Sequence, residues 1–288
     1  MVGHTRPGHS PGRSWLVIGA ASLIGLGGYL YPFLLPAVSP AGDRSAHAAD
    51  APLLLALVTL LCLVAIVTEL SADPVGGSAK TVALLGVLVA IDATLRLAPA
   101  VLGASPVFPL IVLTGAVFGA ALGFQMGALT ILVSAFLTGG IGPWLPYQML
   151  GAGWIGLSAG WLPRLSNPRA RIGMLAFFGA CWGLLYGALL NLWFWPFAGA
   201  GSEGAAGLYW SPDLGFVETI AAYSRFYLTT SLVYDLFRAA GNAALLLLLG
   251  GPLLRALERY RSRFQWQVWE PEEAPRIVTA PPSRTSHG

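Results

Sequence analysis

TGGIGPWLPYQMLGAGWIGLSAGWLP, running from Thr138 to Pro163, decides how the rest of the chain is read. Gly139-Gly140-Ile141-Gly142-Pro143 is too rich in glycine and proline for regular structure, so it is a loop. Trp144 and Tyr147 carry polar tips on apolar rings and suit a membrane–water interface. Beyond them Ala152, Gly156 and Gly160 recur every fourth residue, the spacing that lets membrane helices approach closely. The segment predicts a loop at the mouth of a packed helical bundle.

Working outward, the whole chain has the composition of an integral membrane protein: 56% hydrophobic residues, 10% charged, and a mean hydropathy of +0.69. Apolar stretches at Trp15 to Val38, Pro52 to Leu70, Lys80 to Leu102, Val107 to Leu137, Pro146 to Leu162, Ile172 to Phe197 and Tyr223 to Gly250 are candidate spans. The block from Val107 to Leu137 would be roughly 46 Å long as one helix, against a hydrocarbon core of ~30 Å. It is therefore predicted to break at one of Gly115, Gly119, Gly123 or Gly127, giving an all-α protein with about eight transmembrane helices. The first stretch is too long for the apolar part of a signal peptide and is expected to remain as an anchor. Residues 1–14 and 264–288 are expected to be disordered cytoplasmic termini.

Of the 16 basic residues only Lys80 is a lysine. Arg164, Arg169 and Arg171 fall between two spans, and Arg255, Arg259, Arg261 and Arg263 follow the last. By the positive-inside rule these ends belong in the cytoplasm, which puts both termini of an eight-span cell-membrane protein inside. The loops 39–51, 103–106, 138–145 and 198–222 then face outward. Basicity thus reports topology and supports no nucleic-acid role. Cys62 and Cys181 lie within apolar runs without metal or redox spacing, and His4, His9, His47 and His287 are scattered, so neither metal nor cofactor is expected. Gly76-Gly77-Ser78-Ala79-Lys80-Thr81 has alanine where a phosphate-binding loop needs glycine. No hydrolase nucleophile motif occurs either, and the chain is read as non-enzymatic.

Four charges fall inside spans, where each costs ~2.5–3.5 kcal/mol at the helix centre without a partner. Asp92 and Asp235 lie at similar depth, with Arg96 above and Arg238 below. Crossed pairs Asp92–Arg238 and Asp235–Arg96 would satisfy them, as would local pairs along each helix. Asn191 continues the stripe Gly179, Gly183, Gly187 and should face the bundle interior, to bind a solute or bridge helices; Gln148 poses the same choice. Trp144, Tyr147, Trp193 and Trp195, with Tyr209 and Trp210 in the longest outer loop, are either an interfacial belt or a ring-stacking site with a lid.

Ser105-Pro106-Val107-Phe108-Pro109, the glycine-spaced block to Leu137, Gly142-Pro143-Trp144-Leu145-Pro146-Tyr147-Gln148-Met149 and Asn191-Leu192-Trp193-Phe194-Trp195-Pro196-Phe197 carry a resemblance. From about Lys80 to Arg263 the chain resembles the substrate-specific S component of energy-coupling factor transporters, of the actinobacterial type, and more distantly the cobalamin-related ones. The resemblance implies a six-helix substrate-binding core over 80–263, preceded over 15–79 by two additional helices. It also implies capture of a vitamin-like micronutrient outside, and partnership with a transmembrane coupling subunit and two cytoplasmic ATPases. The family's docking face has an Ala-x-x-x-Ala motif matched here by Ala79 and Ala83, and Gly86 and Ala90 continue the small spacing; ordinary helix packing explains such a stripe equally well. The substrate-binding set expected on both grounds is Arg96, Trp144, Tyr147, Gln148, Asn191, Trp195, Tyr209, Trp210 and Asp235. A self-sufficient secondary transporter is the main alternative, and an intramembrane enzyme acting on lipid a distant third. Few charges and several aromatics suit a neutral or weakly charged heterocycle, with Arg96 or Arg225 able to take one carboxylate or phosphate.

Overall fold

The computed structural model describes residues 12–34, 52–64, 77–98, 103–198 and 207–263. Within them are nine helices: α1 (Gly12–Leu34), α2 (Pro52–Val64), α3 (Gly77–Leu95), α4 (Val107–Phe118), α5 (Ala120–Thr138), α6 (Leu145–Ala159), α7 (Pro168–Ala198), α8 (Phe216–Thr230) and α9 (Leu232–Arg263). Four stretches are long and apolar enough to cross a membrane, at Trp15–Leu34, Ala120–Thr138, Pro168–Ala198 and Leu232–Ser262. The others are shorter or more polar, so the chain is an all-helical, membrane-compatible bundle. Residues 1–11 and 264–288 of the expected terminal tails and the whole of the loop 39–51 lie outside the described residues, whereas residues 12–14 open α1.

The long block after Val107 does break, at Gly119. Its φ of +103° is a conformation open to glycine, and its N–H closes α4 on the Gly115 carbonyl at 2.9 Å. One residue thus reverses the chain, and α5 returns beside α4. Where the two meet α6, three glycines converge: a methyl on Gly115 or Gly123 would strike the Gly156 carbonyl, and one on Gly156 would strike that of Gly123. Backbone here packs on backbone, as small-residue membrane interfaces allow. Gly127 repeats the arrangement against Ala152, and Gly160 against Ala120. Around this pinch the fully buried Ile111, Leu113, Met126, Met149, Leu150 and Ile155 form the core.

A second glycine stripe joins α7 to α9. Gly179 admits Leu246 and accepts a 3.0 Å hydrogen bond from Asn242 Nδ2, Gly183 admits Ala239, and Gly187 admits the Asp235 carboxylate. The stripe faces a neighbouring helix and no open chamber. The span expected from Tyr223 to Gly250 is instead interrupted at Ser231. Thr229 and Thr230 turn their hydroxyls back on carbonyls three and four residues earlier, at 2.7–3.1 Å, a habit that bends or ends helices. The first half becomes α8, whose Phe216, Val217, Ile220 and Leu228 are exposed.

The additional N-terminal helix α1 is tied into the bundle. Tyr29 donates to the Tyr147 carbonyl at 3.0 Å, Trp154 Nε1 donates to Ser22 Oγ at 3.0 Å, and Trp15 stacks on Trp161 at 6.3 Å. Exposed Phe177, Leu247, Leu248 and Leu249 leave an apolar outer surface on α7 and α9 of the kind lipid covers.

Candidate functional site

Chain direction sorts the polar residues. The C-terminal ends of α3, α5 and α7 and the N-terminal ends of α4, α6 and α9 lie at one end of the bundle, the end expected to face outward. There α3 ends in a turn bearing Arg96, whose guanidinium donates to Ser134 Oγ at 2.9 Å and to Gln148 Oε1 at 3.2 Å. Ser134 is held in turn by the Ile131 carbonyl at 2.9 Å. Gln148 is placed by the loop 139–144 between α5 and α6. Gly139, with φ of +66°, terminates α5; Leu145 N–H bonds to the Gly142 carbonyl and Gln148 N–H to that of Trp144. Among the described residues no carboxylate lies within ion-pair distance of Arg96.

Next to this group stands Tyr186 of α7, packed edge-on against Phe108 at 4.8 Å, with the Arg238 guanidinium 5.6 Å above its ring centroid. Arg96 is also within electrostatic reach of the Tyr186 hydroxyl. Arg238 is paired locally with Asp235, and donates to the Gly183 carbonyl at 3.3 Å. Asp235 thus meets Arg238 of its own helix, and Arg96 meets neutral partners, so the crossed arrangement of four charges is not the one adopted. The reason is proximity: residues three apart on a helix meet without bringing two helices into register. Tyr227 approaches Asp235 but donates to the Leu184 carbonyl at 3.4 Å, leaving the second carboxylate oxygen without a closed hydrogen bond.

Asp92 stands apart. It is 0% exposed on the inward face of α3, neither oxygen has a closed hydrogen bond, and the Thr130 hydroxyl of α5 approaches it. Asn191 is half-buried with its Nδ2 buried and unpartnered.

The aromatic residues divide into two groups. Trp144, 40% exposed, bonds its indole N–H to the Gly140 carbonyl at 3.3 Å and meets Trp193 edge-on at 6.4 Å, with Tyr147 5.8 Å on the other side of Trp193. This group adjoins Gln148. Trp195, only 1% exposed, donates to the Leu208 carbonyl at 2.9 Å and packs with Phe33, Tyr223 and Phe226, while Tyr209 and Trp210 join the same cluster. Its faces are covered by protein, so Trp195, Tyr209 and Trp210 pin the segment before α8 and do not offer an open stacking surface. Arg96 and Gln148 are therefore brought together, with Trp144 one turn before Gln148. Tyr147 is buried against Tyr29 and Trp193 and donates to the Gly28 carbonyl at 3.4 Å, so like Trp195 it offers no open ring face. Asp235 reaches this region only through its partner Arg238 over the Tyr186 ring. Ser134 and Tyr186 were not singled out in the sequence. Their signals were faint: a serine one turn before a glycine cap, and a tyrosine inside a glycine stripe.

On the opposite side of α3, Ala79, Ala83, Gly86 and Ala90 are all exposed, and Gly86 and Ala90 help line a shallow apolar groove of about 290 Å³ with Val82, Leu85, Val89, Leu129 and Val133. No cluster of potential metal ligands occurs among the described residues. Compared with known proteins, the chain matches no family model, no curated protein and no solved structure, and the role of the site rests on its own geometry.

Proposed function

We propose that this chain is the substrate-binding membrane subunit of an energy-coupling factor transporter, an eight-span protein with cytoplasmic termini that captures a vitamin-like micronutrient outside. The observation that carries the reading is Arg96: a guanidinium held by neutral Ser134 and Gln148, with no carboxylate in ion-pair distance among the described residues, near the aromatic group of Trp144 and Trp193. An arginine kept inside a bundle on neutral acceptors is poised for an anion, and the rings beside it suit a flat heterocycle. The substrate is accordingly a planar, vitamin-like molecule bearing at most one carboxylate or phosphate, with cobalamin-like compounds favoured by the resemblance.

Mass spectrometry of the purified protein should identify a co-purifying molecule of this class. Calorimetry with that molecule should then find Arg96→Gln weaker by about tenfold or more, the value of a charge-assisted hydrogen bond. Unchanged affinity in the folded variant would remove Arg96 from the site.

In this account energy comes from two ATPases through a transmembrane coupling subunit that docks on α3. Support comes from the exposed small-residue face of Ala79, Ala83, Gly86 and Ala90 and the apolar groove beside it. Close helix approach requires such side chains at the crossing. Ala83→Leu is expected to weaken co-purification of the coupling subunit while substrate affinity stays within about twofold, because Ala83 points away from Arg96. Equal loss of both would indicate damage to the bundle.

A second reading, a self-sufficient secondary transporter, draws on Asp92. A buried carboxyl without hydrogen bonds inside a membrane bundle is the kind of group that carries a coupling proton or cation.

A further inference from the structure

At the end of the bundle opposite Arg96, three arginines from three segments converge. Arg171, near the start of α7, forms an ion pair with Glu258 of α9 and is half-buried. Arg261, one turn further along α9 and also half-buried, lies within electrostatic reach of Arg164, Glu258 and Arg171. Arg164, from the loop between α6 and α7, reaches back to the Val117 carbonyl at the C-terminal end of α4, at 3.5 Å. Among the described residues one carboxylate serves these three guanidiniums, leaving an excess of two positive charges in a cluster whose members repel one another. Proteins hold like charges together in this way where an anion binds between them.

The surroundings say which kind of anion. Three residues before Arg164, Trp161 is 62% exposed and stacks on half-exposed Trp15, the pair forming an aromatic anchor of the membrane–water boundary. Leu165 and Leu253 near the cluster are exposed, as are Leu247, Leu248 and Leu249 higher on α9. A headgroup at the arginines would thus continue into acyl chains along an apolar helix face. We propose that Arg164, Arg171 and Arg261 form a binding site for the phosphodiester of an anionic phospholipid, clamping α7 to α9 at the arginine-rich end. A general excess of positive charge needs no such convergence; arginines spread over the same end, as Arg169, Arg255 and Arg259 are, provide that.

The test is native mass spectrometry of the full chain in detergent, titrated with phosphatidylglycerol or phosphatidylcholine. Phosphatidylglycerol should be retained in preference, and Arg164→Gln/Arg261→Gln should weaken it by roughly tenfold or more, since two arginines near an anionic headgroup are lost together. Arg169→Gln/Arg259→Gln, which removes the same charge from positions outside the cluster, should leave it within about twofold. The single variant Arg261→Gln gives an intermediate loss and serves if the double variant does not fold. Equal losses in the two double variants would mean a diffuse field and overturn the site. Displacement of the lipid by millimolar glycerol 3-phosphate would mean that a soluble phosphate is the ligand, and would overturn the lipid assignment.

Discussion

Replacing Gly156 by valine is expected to leave almost no folded protein in detergent extracts. The Cβ of any larger residue at this position would occupy the space of the Gly123 carbonyl, and the neighbours are backbone, which cannot rotate aside. Overpacking a well-filled interior costs about 1–3 kcal/mol when side chains can shift, and this site should lie at or above the upper end. Gly115 and Gly123 meet the Gly156 carbonyl from the other two helices, so the damage spreads to all three elements of the central pinch. Fluorescence-detected size-exclusion chromatography of membrane extracts would measure it. Gly86→Ala, at a position with open space around it, should behave as wild type. A monodisperse Gly156→Val protein with normal thermal stability would mean that α4, α5 and α6 do not meet at their glycines.

The second large effect is expected at Asp235. Asp235→Ala removes the one carboxylate paired with Arg238 among the described residues and leaves a largely buried guanidinium with the Gly183 carbonyl and the Tyr186 ring. Breaking a buried pair by removing one partner costs about 3–5 kcal/mol, most of it from the stranded charge. Thermal unfolding of Asp235→Ala should show that loss, and the double variant Asp235→Ala/Arg238→Leu should recover much of it, because no unpaired charge remains. Additive losses would show that the two residues act separately.

The all-helical, apolar character of the chain was legible in the sequence because hydropathy and glycine spacing are one-dimensional signals. The break near Gly119 followed from length against bilayer thickness, and the loop before Gln148 from its glycines and proline. The helix interruption at Ser231 was not legible, since no glycine or proline marks it and it arises from back-bonded threonine hydroxyls. Pairing of the charges was underdetermined for a similar reason. Spacing permits both local and crossed pairs, and the structure adopts the local pair Asp235–Arg238 along α9, with Arg96 left on the neutral acceptors Ser134 and Gln148. The aromatic residues were read as one set, yet Trp195 belongs to a cluster completed by Phe33 of α1, a contact across more than 150 positions that no local pattern records.

Energy coupling through a separate module is tested most directly by uptake of the co-purifying solute in a host that lacks ATPase and coupling subunits of this type. The chain expressed alone should bind the solute with unchanged affinity in membranes yet accumulate none inside the cell, and co-expression of the coupling subunit and both ATPases should restore uptake. Undiminished uptake by the chain alone would contradict the account and point to a transporter driven from within its own bundle.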